Sequence, residues 1–436
     1  MVYRNSVILY SLSCFLVLRC AAYSDPDLNR NFEELITSRG FKCEIHEITT
    51  TDGYILGYYR IVNPATISKP ELRKRPVLLH HGLLSSGVDF IINSPGGDYD
   101  PSILDETFNG VDVDGQEKFI KHTVNSSQTK EVGNNLGFVL ANLGYDVWLG
   151  NSRGTTYSKK HTHYDVKDKR FWKFSTDEMI KYDIPAGIDY ILHATGRESL
   201  AYVGHSQGTL IMFGLLATRP EYTEKIKPFV SLGPVAQFVE IKGLFHLIAK
   251  IPGILEFGKH MKGQLLPRSS IIETIGKTVC VSPLKFVCTD LIFLVCGFDR
   301  LQMNVTREPV YTAHDPSGTS WRNVYHYGQM VKAKKWQMFD YGFFENELHY
   351  GTPHPPEYPL AAIRSNYIAL IYGENDLIAT PKNVASIKSH LTVPLLDDYL
   401  VPYSKWNHID FLWGLEAGKH VYARTIQNIK LFDSHK

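Results

Sequence analysis

The sequence predicts an α/β fold in which a mostly parallel central sheet carries helices on both faces. Five short apolar runs are typical of buried strands, and a glycine-bearing turn ends each of them: 76–82, 145–151, 200–206, 229–234 and 367–376. Segments with the apolar spacing of helices lie between several of these runs. Strands that alternate with helices indicate a parallel sheet, because each crossover helix packs on a face of that sheet.

Length, composition and charge indicate a globular protein. The chain has 436 residues, of which 44% are hydrophobic and 21% are charged, so it can bury a full core. Its 46 basic and 45 acidic side chains nearly balance. Since no excess of positive charge is available to neutralise phosphates, the composition argues against nucleic acid as a main partner.

The amino terminus has the pattern of a secretory signal peptide, predicted over residues 1–22. Arg4 precedes a short apolar run at 7–18, and small residues follow at Ala21 and Ala22. The alternative is a membrane anchor, but this run is too short to span a bilayer, and no later stretch is long and apolar enough. We therefore expect a secreted, extracellular protein, with the lysosomal lumen as the alternative location.

Removal of this segment leaves four cysteines in a compartment that favours disulfides. Sequence alone does not fix their connectivity, and four buried free thiols are the alternative. Asn125 and Asn304 each begin an Asn-x-Ser/Thr acceptor for glycosylation, which fits a secreted protein. The four remaining cysteines are Cys43, Cys280, Cys288 and Cys296.

A long interval after the fourth apolar run predicts an inserted helical cap. A single crossover helix needs only about a dozen residues, but the excess here is on the order of a hundred. We therefore expect a core at 23–235, a cap and lid at 236–344 and a second part of the core at 345–436. The early cap, 239–267, is apolar and interrupted by glycine and proline, as short helices over a cleft would be. Ordinary packing within the cap is the alternative.

Two stretches fit the pattern G-x-S-x-G, which holds a nucleophilic serine on a tight strand-to-helix turn. "GHSQG" at 204–208 follows a compact apolar strand and precedes good helix formers, so Ser206 would lie where a helix terminus favours negative charge. "GNSRG" at 150–154 also follows a strand, but the polar, charged segment after it is a poor helix start. Ser206 is therefore the predicted nucleophile, and Ser152 is predicted to be structural.

A nucleophilic serine needs a base and a group that orients the base, and in this kind of fold an acid and then a histidine follow the serine. Asp376 lies just past the end of a predicted strand, on the same rim as Ser206, with Glu374 and Asp290 as weaker rivals. His408 lies in a turn before an apolar run and is the predicted base. The alternative is that His408 is a satisfied structural histidine.

Stabilisation of an oxyanion needs two backbone N–H groups. One is expected from Gln207, the residue after the nucleophile, and the other from Leu83 in the loop after the third strand. Gly82 permits the close approach of that loop. His80 and His81, just before it, are interpreted as residues that shape the loop.

These residues, taken together, resemble the acid lipases, the family of gastric lipase, lysosomal acid lipase and their insect relatives. The similarity runs from about residue 31 to residue 431 through "HHGLLSSGVDF", "LANLGYDVWLGNSRGTTYS", "YVGHSQGT", "CGFDRLQMNVTR" and "WNHIDFLWG". It implies an α/β-hydrolase fold with a helical cap and lid. It also implies cleavage of acyl esters of glycerol or sterols, with no metal or organic cofactor. The expected partner is a lipid ester substrate at a lipid–water interface, and no obligate protein partner is evident from the sequence.

The resemblance also carries over to single residues. The family's nucleophile, acid and base fall on Ser206, Asp376 and His408, and its oxyanion donors fall on Leu83 and Gln207. Its cap disulfide would fall on Cys280 and Cys288, with a spacing one residue shorter.

Two features depart from the family pattern. His80 stands where the family usually has glutamine, and the polar segment 96–133 has no counterpart. This segment is predicted to be a disordered insertion near 97–133, and a functional loop at the cleft mouth is the alternative. Two other functions stay open: a non-catalytic lipid-binding protein on the same scaffold, and a hydrolase of small soluble esters or peptides.

Overall fold

The computed structural model describes residues 25–93, 135–268 and 285–433. The predicted signal peptide and the predicted insertion near 97–133 lie outside these residues, as do Asn125 and Cys280. Within the described ranges, no helix has both the length and the apolar character that crossing a membrane requires.

The central sheet has nine strands in the described part of the chain, in the order β1-β2-β4-β3-β6-β7-β10-β11, with β5 paired to β2. The pairs from β4 to β11 are parallel, and β2 pairs antiparallel with β1, β4 and β5. A small second sheet joins β8 to β9. The strands are β1 Lys42–Thr49, β2 Tyr54–Val62, β3 Pro76–His80, β4 Asp146–Gly150, β5 Lys160–His161, β6 Leu200–His205, β7 Ile226–Leu232, β8 Gln264–Leu265, β9 Thr319–Ser320, β10 Ile368–Tyr372 and β11 Asp397–Leu400.

Helices cover both faces of this sheet and form the segment between β7 and β10. The α-helices are α1 Phe32–Thr37, α2 Pro64–Ser68, α3 Leu136–Asn142, α4 Thr176–Glu178, α5 Ile184–Thr195, α6 Gln207–Thr218, α7 Gly243–Ala249, α8 Ile254–His260, α9 Lys285–Cys296, α10 Glu308–His314, α11 Trp321–Ala333, α12 Phe343–Tyr350, α13 Pro381–His390, α14 Asp410–Trp413 and α15 Ala423–Lys430. Short 3₁₀ turns are Pro26–Leu28, Pro70–Leu72, Gly87–Phe90, Pro220–Thr223 and Leu360–Ala362, and π-helical turns are Met179–Asp183 and Gly418–Tyr422.

The predicted fold class is confirmed, because all five predicted strands are present in the parallel part of the sheet as β3, β4, β6, β7 and β10. The hairpin of β1 and β2 was missed by sequence reasoning. Most residues of β1 are exposed or half-buried, so this edge strand lacks the continuous apolar run that marks a strand covered on both faces.

Alternation along the central strands divides the core into two apolar clusters, one on each face of the sheet. In β3, Val77 and Leu79 belong to one cluster, whereas Leu78 belongs to the other. In β4, Val147 and Trp148 divide in the same way. Because successive strand residues point to opposite faces, a short apolar run fills both clusters at once.

The interval between β7 and β10 is helical, as predicted, and contains α7 to α12 in the described residues. The apolar segment 239–267 contains two short helices, α7 and α8. The two-residue strands β8 and β9 join the end of this segment to the start of α11. The boundaries of the cap at 236 and 344 stay a prediction.

A buried ion network fixes the loop after β4. The Nε of Arg153 donates to Asp183 at 2.8 Å, and its two terminal nitrogens donate to Asp52 at 2.7 and 3.0 Å. The guanidinium also lies 3.9 Å from the ring centroid of Tyr54. Only 1% of the side chains of Arg153 and Asp183 is exposed, so each charge depends on its partner. The arginine of "GNSRG" is therefore a structural residue.

We predict that Arg153→Ala lowers the free energy of unfolding by about 3–5 kcal/mol, because it leaves the buried carboxylate of Asp183 without its charge partner. Urea unfolding followed by tryptophan fluorescence measures the change. Arg170→Ala is the control, since Arg170 forms an ion pair with Asp168 on the surface and its loss should change little. Equal effects of the two substitutions would contradict a stabilising role for the buried pair of Arg153 and Asp183.

Candidate active site

Ser206 lies between the end of β6 and the start of α6, on a strained turn. Its backbone has φ 52° and ψ −115°, which is unusual for a residue with a side chain. Strain of this kind persists where the surrounding structure holds it, and it often marks a functional site. The backbone N–H of Ser206 donates to the carbonyl of Leu232 at the end of β7, at 3.1 Å. The two strand ends thus hold the turn in place.

The last glycine of "GHSQG" lets α6 approach the end of β3. A Cβ at Gly208 would lie 2.4 Å from the carbonyl oxygen of His80 and 3.0 Å from that of His81, which no ordinary side chain tolerates. This approach explains why the motif needs glycine two residues after the serine. It also brings the loop after β3 directly beside the turn that carries Ser206.

Asp376 and His408 are hydrogen-bonded to each other at the same rim. Oδ2 of Asp376 accepts from Nδ1 of His408 at 2.7 Å. Oδ1 of Asp376 accepts from the backbone N–H groups of Ile378 at 2.8 Å and Ala379 at 2.7 Å, so the carboxylate has a fixed orientation. Both side chains are buried. The arrangement holds the imidazole with its proton on Nδ1.

The two weaker candidates for the acid have other environments. Glu374 is exposed, and Asp290 forms an ion pair with Arg300 at 2.5 Å on the surface. Of the three candidate carboxylates, the structure therefore pairs Asp376 with His408.

His205 connects the turn of Ser206 to the loop of His408. Its Nε2 donates to the backbone carbonyl of His408 at 2.8 Å, and the two rings lie 4.9 Å apart. Within the described part of the chain, Nε2 of His408 makes no hydrogen bond, which leaves this nitrogen available to accept a proton. Catalytic hydrogen bonds are often long before substrate binds.

The two predicted oxyanion donors flank Ser206. Gln207 is the first residue of α6, so its N–H has no acceptor within the helix. Leu83 follows Gly82, at which a Cβ would lie 3.1 Å from the Cβ of Ser206. The next residue, Leu84, has a φ of 66°, so the chain turns sharply after Leu83. Both donors therefore belong to segments in close contact with Ser206.

The second G-x-S-x-G stretch forms hydrogen bonds with residues 81–87, the loop of Leu83, which we call the oxyanion loop after its predicted role. The backbone N–H of Ser152 donates to Nε2 of His81 at 3.0 Å, so Nδ1 of His81 carries the proton and donates to the carbonyl of Gly82 at 2.8 Å. Burial lowers the pKa of His81 to about 4, which keeps the ring neutral in this role. Asn151 also accepts from the N–H of Gly87 at 2.9 Å. Ser152 thus contributes its backbone to the loop.

Comparison with known proteins identifies the family. A model of a partial α/β-hydrolase lipase region matches residues 32–94, and a model of the α/β-hydrolase fold matches residues 126–248. Gastric triacylglycerol lipase of Rattus norvegicus is 38% identical over 408 residues, which are 92% of each chain. Lysosomal acid lipase/cholesteryl ester hydrolase of Homo sapiens is 35% identical over 419 residues, 94% of this chain and 92% of that protein. The chain belongs to the acid lipase family.

A solved structure supports the fold of the chain. A crystal structure of a lipase candidate from Sulfolobus solfataricus superposes with a TM-score of 0.52 and covers 89% of this chain and 99% of its own. At 13% sequence identity, this similarity shows the α/β-hydrolase fold alone.

Two cysteines of the acid lipase have free thiols in the described residues. Cys43 is half-buried and Cys296 is buried, and burial raises the pKa of the Cys43 thiol to about 12. The carbonyl of Cys296 accepts from the backbone N–H of His408 at 3.1 Å, so this residue supports the histidine loop. Cys280 lies outside the described residues and the side chain of Cys288 is not described, so their pairing stays a prediction.

Of the two predicted glycosylation acceptors, the structure describes only Asn304. Asn304 is half-buried, and its side-chain oxygen accepts from the backbone N–H and the hydroxyl of Thr306 at 3.1 and 2.7 Å. Asn125 lies outside the described residues. Modification of either asparagine stays a prediction.

A pair of buried carboxyl groups lies behind the oxyanion loop, and sequence reasoning missed it. The carboxyl oxygens of Asp315 are buried without a hydrogen-bond partner in the described residues, and the neighbouring carboxyl group of Asp89 is buried as well. The hydroxyl of Ser85 donates to Asp89. Burial raises the pKa of both aspartates, and the charge of Asp89 raises that of Asp315 further, whereas Arg268 opposes this effect. The pair lies where the loop after β3 meets the segment before β9, next to the hydrogen bond from the N–H of Ser317 to the carbonyl of Leu84.

We predict that this pair makes the acid lipase less stable as the pH rises. Because burial and the neighbouring carboxyl group raise these pKa values, the folded protein binds protons on the pair more tightly than an unfolded chain does, and the contribution is complete below the unfolded pKa of about 4. It is lost as the pH rises from there through the raised pKa of the folded pair. Asp315→Asn keeps a donor toward Asp89 and removes one charge. The free energy of unfolding of this variant should therefore exceed that of the native chain by more at pH 7 than at pH 4.

Urea unfolding of the variant and the native chain from pH 4 to pH 7 gives the difference between their free energies of unfolding. The contributions of the other titrating groups cancel in this difference. A difference that does not change with pH would contradict the raised pKa values of this pair.

Proposed function

We propose that the chain hydrolyses acyl ester bonds of triacylglycerols or sterol esters, with Ser206 as nucleophile, His408 as base and Asp376 as the group that orients the base. The observation that carries this proposal is the buried hydrogen bond between His408 and Asp376, together with the link from the His408 loop to His205, which precedes a serine on a strained strand-to-helix turn. The relatives named as triacylglycerol and cholesteryl ester hydrolases support these two substrate classes.

The reaction proceeds by acyl transfer in two steps. Nε2 of His408 takes the proton from the hydroxyl of Ser206 as its oxygen attacks the ester carbonyl, and Asp376 stabilises the imidazolium that forms. His408 then gives this proton to the leaving alcohol, and water releases the fatty acid from the acylated serine by the same route. The N–H groups of Leu83 and Gln207 bind the oxyanion, and loss of one such donor costs about 3 kcal/mol of activation free energy.

The first part of the cap supports a reaction at a lipid surface. Leu247, Ile251 and Phe257, in or between helices α7 and α8, are large apolar residues with about half or more of their surface exposed. An apolar segment of this kind shields an acyl site in water and opens when it contacts lipid. We propose that 239–267 acts as the lid.

A second exposed apolar group lies on helix α12. Phe344 and Leu348, one helical turn apart, are 82% and 80% exposed, and Phe343 beside them is 62% exposed. Aromatic side chains at this level of exposure favour the boundary between water and lipid. We propose that α12 is a second contact with the lipid surface.

The location proposed for the mature chain is the extracellular space, with the lysosomal lumen as the alternative. The predicted signal peptide and the gastric and lysosomal relatives support entry into the secretory route. Both destinations begin with the same signal.

We predict that Ser206→Ala abolishes hydrolysis of trioleoylglycerol and cholesteryl oleate, because no other group on the turn can form the acyl intermediate. Ser152→Ala is the matched control, since Ser152 lies in the second G-x-S-x-G and contributes its backbone; its activity should stay within about twofold of the native value. Covalent labelling by a fluorophosphonate should likewise depend on Ser206 and be independent of Ser152. Full residual activity of Ser206→Ala would refute the mechanism, and an unlabelled native chain would favour a lipid-binding protein.

We predict that the double substitution Phe343→Ser/Phe344→Ser lowers activity on emulsified trioleoylglycerol by about tenfold or more, because it removes two aromatic anchors. Hydrolysis of dissolved p-nitrophenyl butyrate should not change. Ile45→Ser is the control, because Ile45 is 51% exposed on strand β1 of the core. An unchanged ratio of emulsified to dissolved activity in the α12 variant would exclude this helix as an anchor.

A further inference from the structure

The cap contacts the turn of the nucleophile through the start of helix α11. Nδ2 of Asn323 donates to Oε1 of Gln207 at 2.9 Å, and the hydroxyl of Tyr327 donates to the same oxygen at 3.3 Å. On the other side, Nε2 of Gln207 lies 3.7 Å from the sulfur of Met179. The Gln207 side chain is therefore held between the cap and the core.

Asn323 is itself fixed in one orientation. Its backbone N–H donates to Oγ of Ser320 at 2.9 Å, and its Nδ2 also donates to Oγ1 of Thr319 at 3.1 Å. The residue is fully buried, and within the described chain its Oδ1 makes no hydrogen bond. Its two side-chain hydrogen bonds fix the Nδ2 group between Thr319 and Gln207.

The same segment of the cap also reaches the other arm of the oxyanion hole. The backbone N–H of Ser317 donates to the carbonyl of Leu84 at 2.6 Å, directly after Leu83. Residues 315–323 thus contact the segments that carry both proposed donors.

We propose that Asn323 is a positioning residue of the cap that fixes the direction of the Gln207 backbone N–H through the Gln207 side chain. The inference rests on the proposed function, since it requires Gln207 as an oxyanion donor. Gln207 follows a strained residue and begins a helix, where few backbone bonds restrain it. A donor must lie within a fraction of an ångström of its productive position, so a side-chain tether at this point changes the rate.

A double-mutant cycle tests the proposal on the full chain. Asn323→Ala, Gln207→Ala and the double variant are assayed with dissolved p-nitrophenyl butyrate, and each rate is divided by the number of sites that a fluorophosphonate labels to completion. This division removes misfolded molecules from the comparison. We expect kcat of Asn323→Ala to fall about 10- to 100-fold, less than for loss of a donor, with KM changed less than about threefold. The double variant should be no slower than Gln207→Ala, because both changes remove the same tether.

Asn346→Ala is the matched control, since Asn346 on helix α12 is also a buried asparagine but bonds to Asp340, Tyr341 and Pro353. Its kcat should stay within about twofold of the native value. Asn323→Asp preserves the side-chain volume and removes the donor while it is ionised, so its kcat relative to the native chain should rise as the pH falls and the carboxyl regains a proton.

Two results would overturn the role of Asn323 alone: a kcat for Asn323→Ala within twofold of the native value, or losses that add in the double variant. A native chain that neither hydrolyses the ester nor labels at Ser206 would instead overturn the proposed function, and this inference with it.

Discussion

The close approach of helix α6 to the end of strand β3 is the constraint on which the candidate site depends. It requires glycine at 208, where a Cβ would lie 2.4 Å from the carbonyl of His80. It places the turn of Ser206 against Gly82, and so it fixes the loop of Leu83 relative to the predicted nucleophile without a flexible side chain between them. The strain at Ser206 persists because β6, β7 and this contact hold the turn from three directions.

Burial of neighbouring imidazoles determines which group can carry charge at this rim. Burial lowers the pKa of His205 to about 3, that of His81 to about 4 and that of His80 well below its usual value. These rings therefore stay neutral, and each can serve as a fixed donor, acceptor or packing group. A positive charge on His205 would oppose the imidazolium that the proposed mechanism forms on His408, since the two rings are 4.9 Å apart.

Sequence reasoning predicted those parts of the site that depend on local pattern. Ser206 follows from a strand, a glycine turn and a helix within twenty residues, and Asp376 and His408 follow from where strands end. The structure pairs Asp376 with His408 and links the loop of His408 to His205, the residue before Ser206, while the catalytic roles of the three residues stay predictions. The contacts of Asp89 with Asp315 and of Gln207 with Asn323 could not be predicted, because each joins the core to the cap across more than a hundred residues without a local signal. The β1–β2 hairpin was missed for a different reason, since its edge strand is too exposed to show an apolar run.

The cap has two proposed roles, since 239–267 is the proposed lid and Asn323 is proposed to position Gln207. A short pair of strands connects the two. Strand β8, at the end of 239–267, pairs with β9 through Gln264 to Ser320 and Leu265 to Thr319. Ser320 and Thr319 are also the residues that hold Asn323. If the whole segment 239–267 moved, it would therefore displace Asn323 and disturb its hydrogen bond to Gln207. If the segment bent before β8, this hydrogen bond would stay in place. Gly253 and Gly263, both with positive φ, provide bends between α7 and α8 and just before β8. We therefore expect α7 and α8 to move while β8, β9 and Asn323 stay with the core, so that the cleft opens without loss of the oxyanion hole.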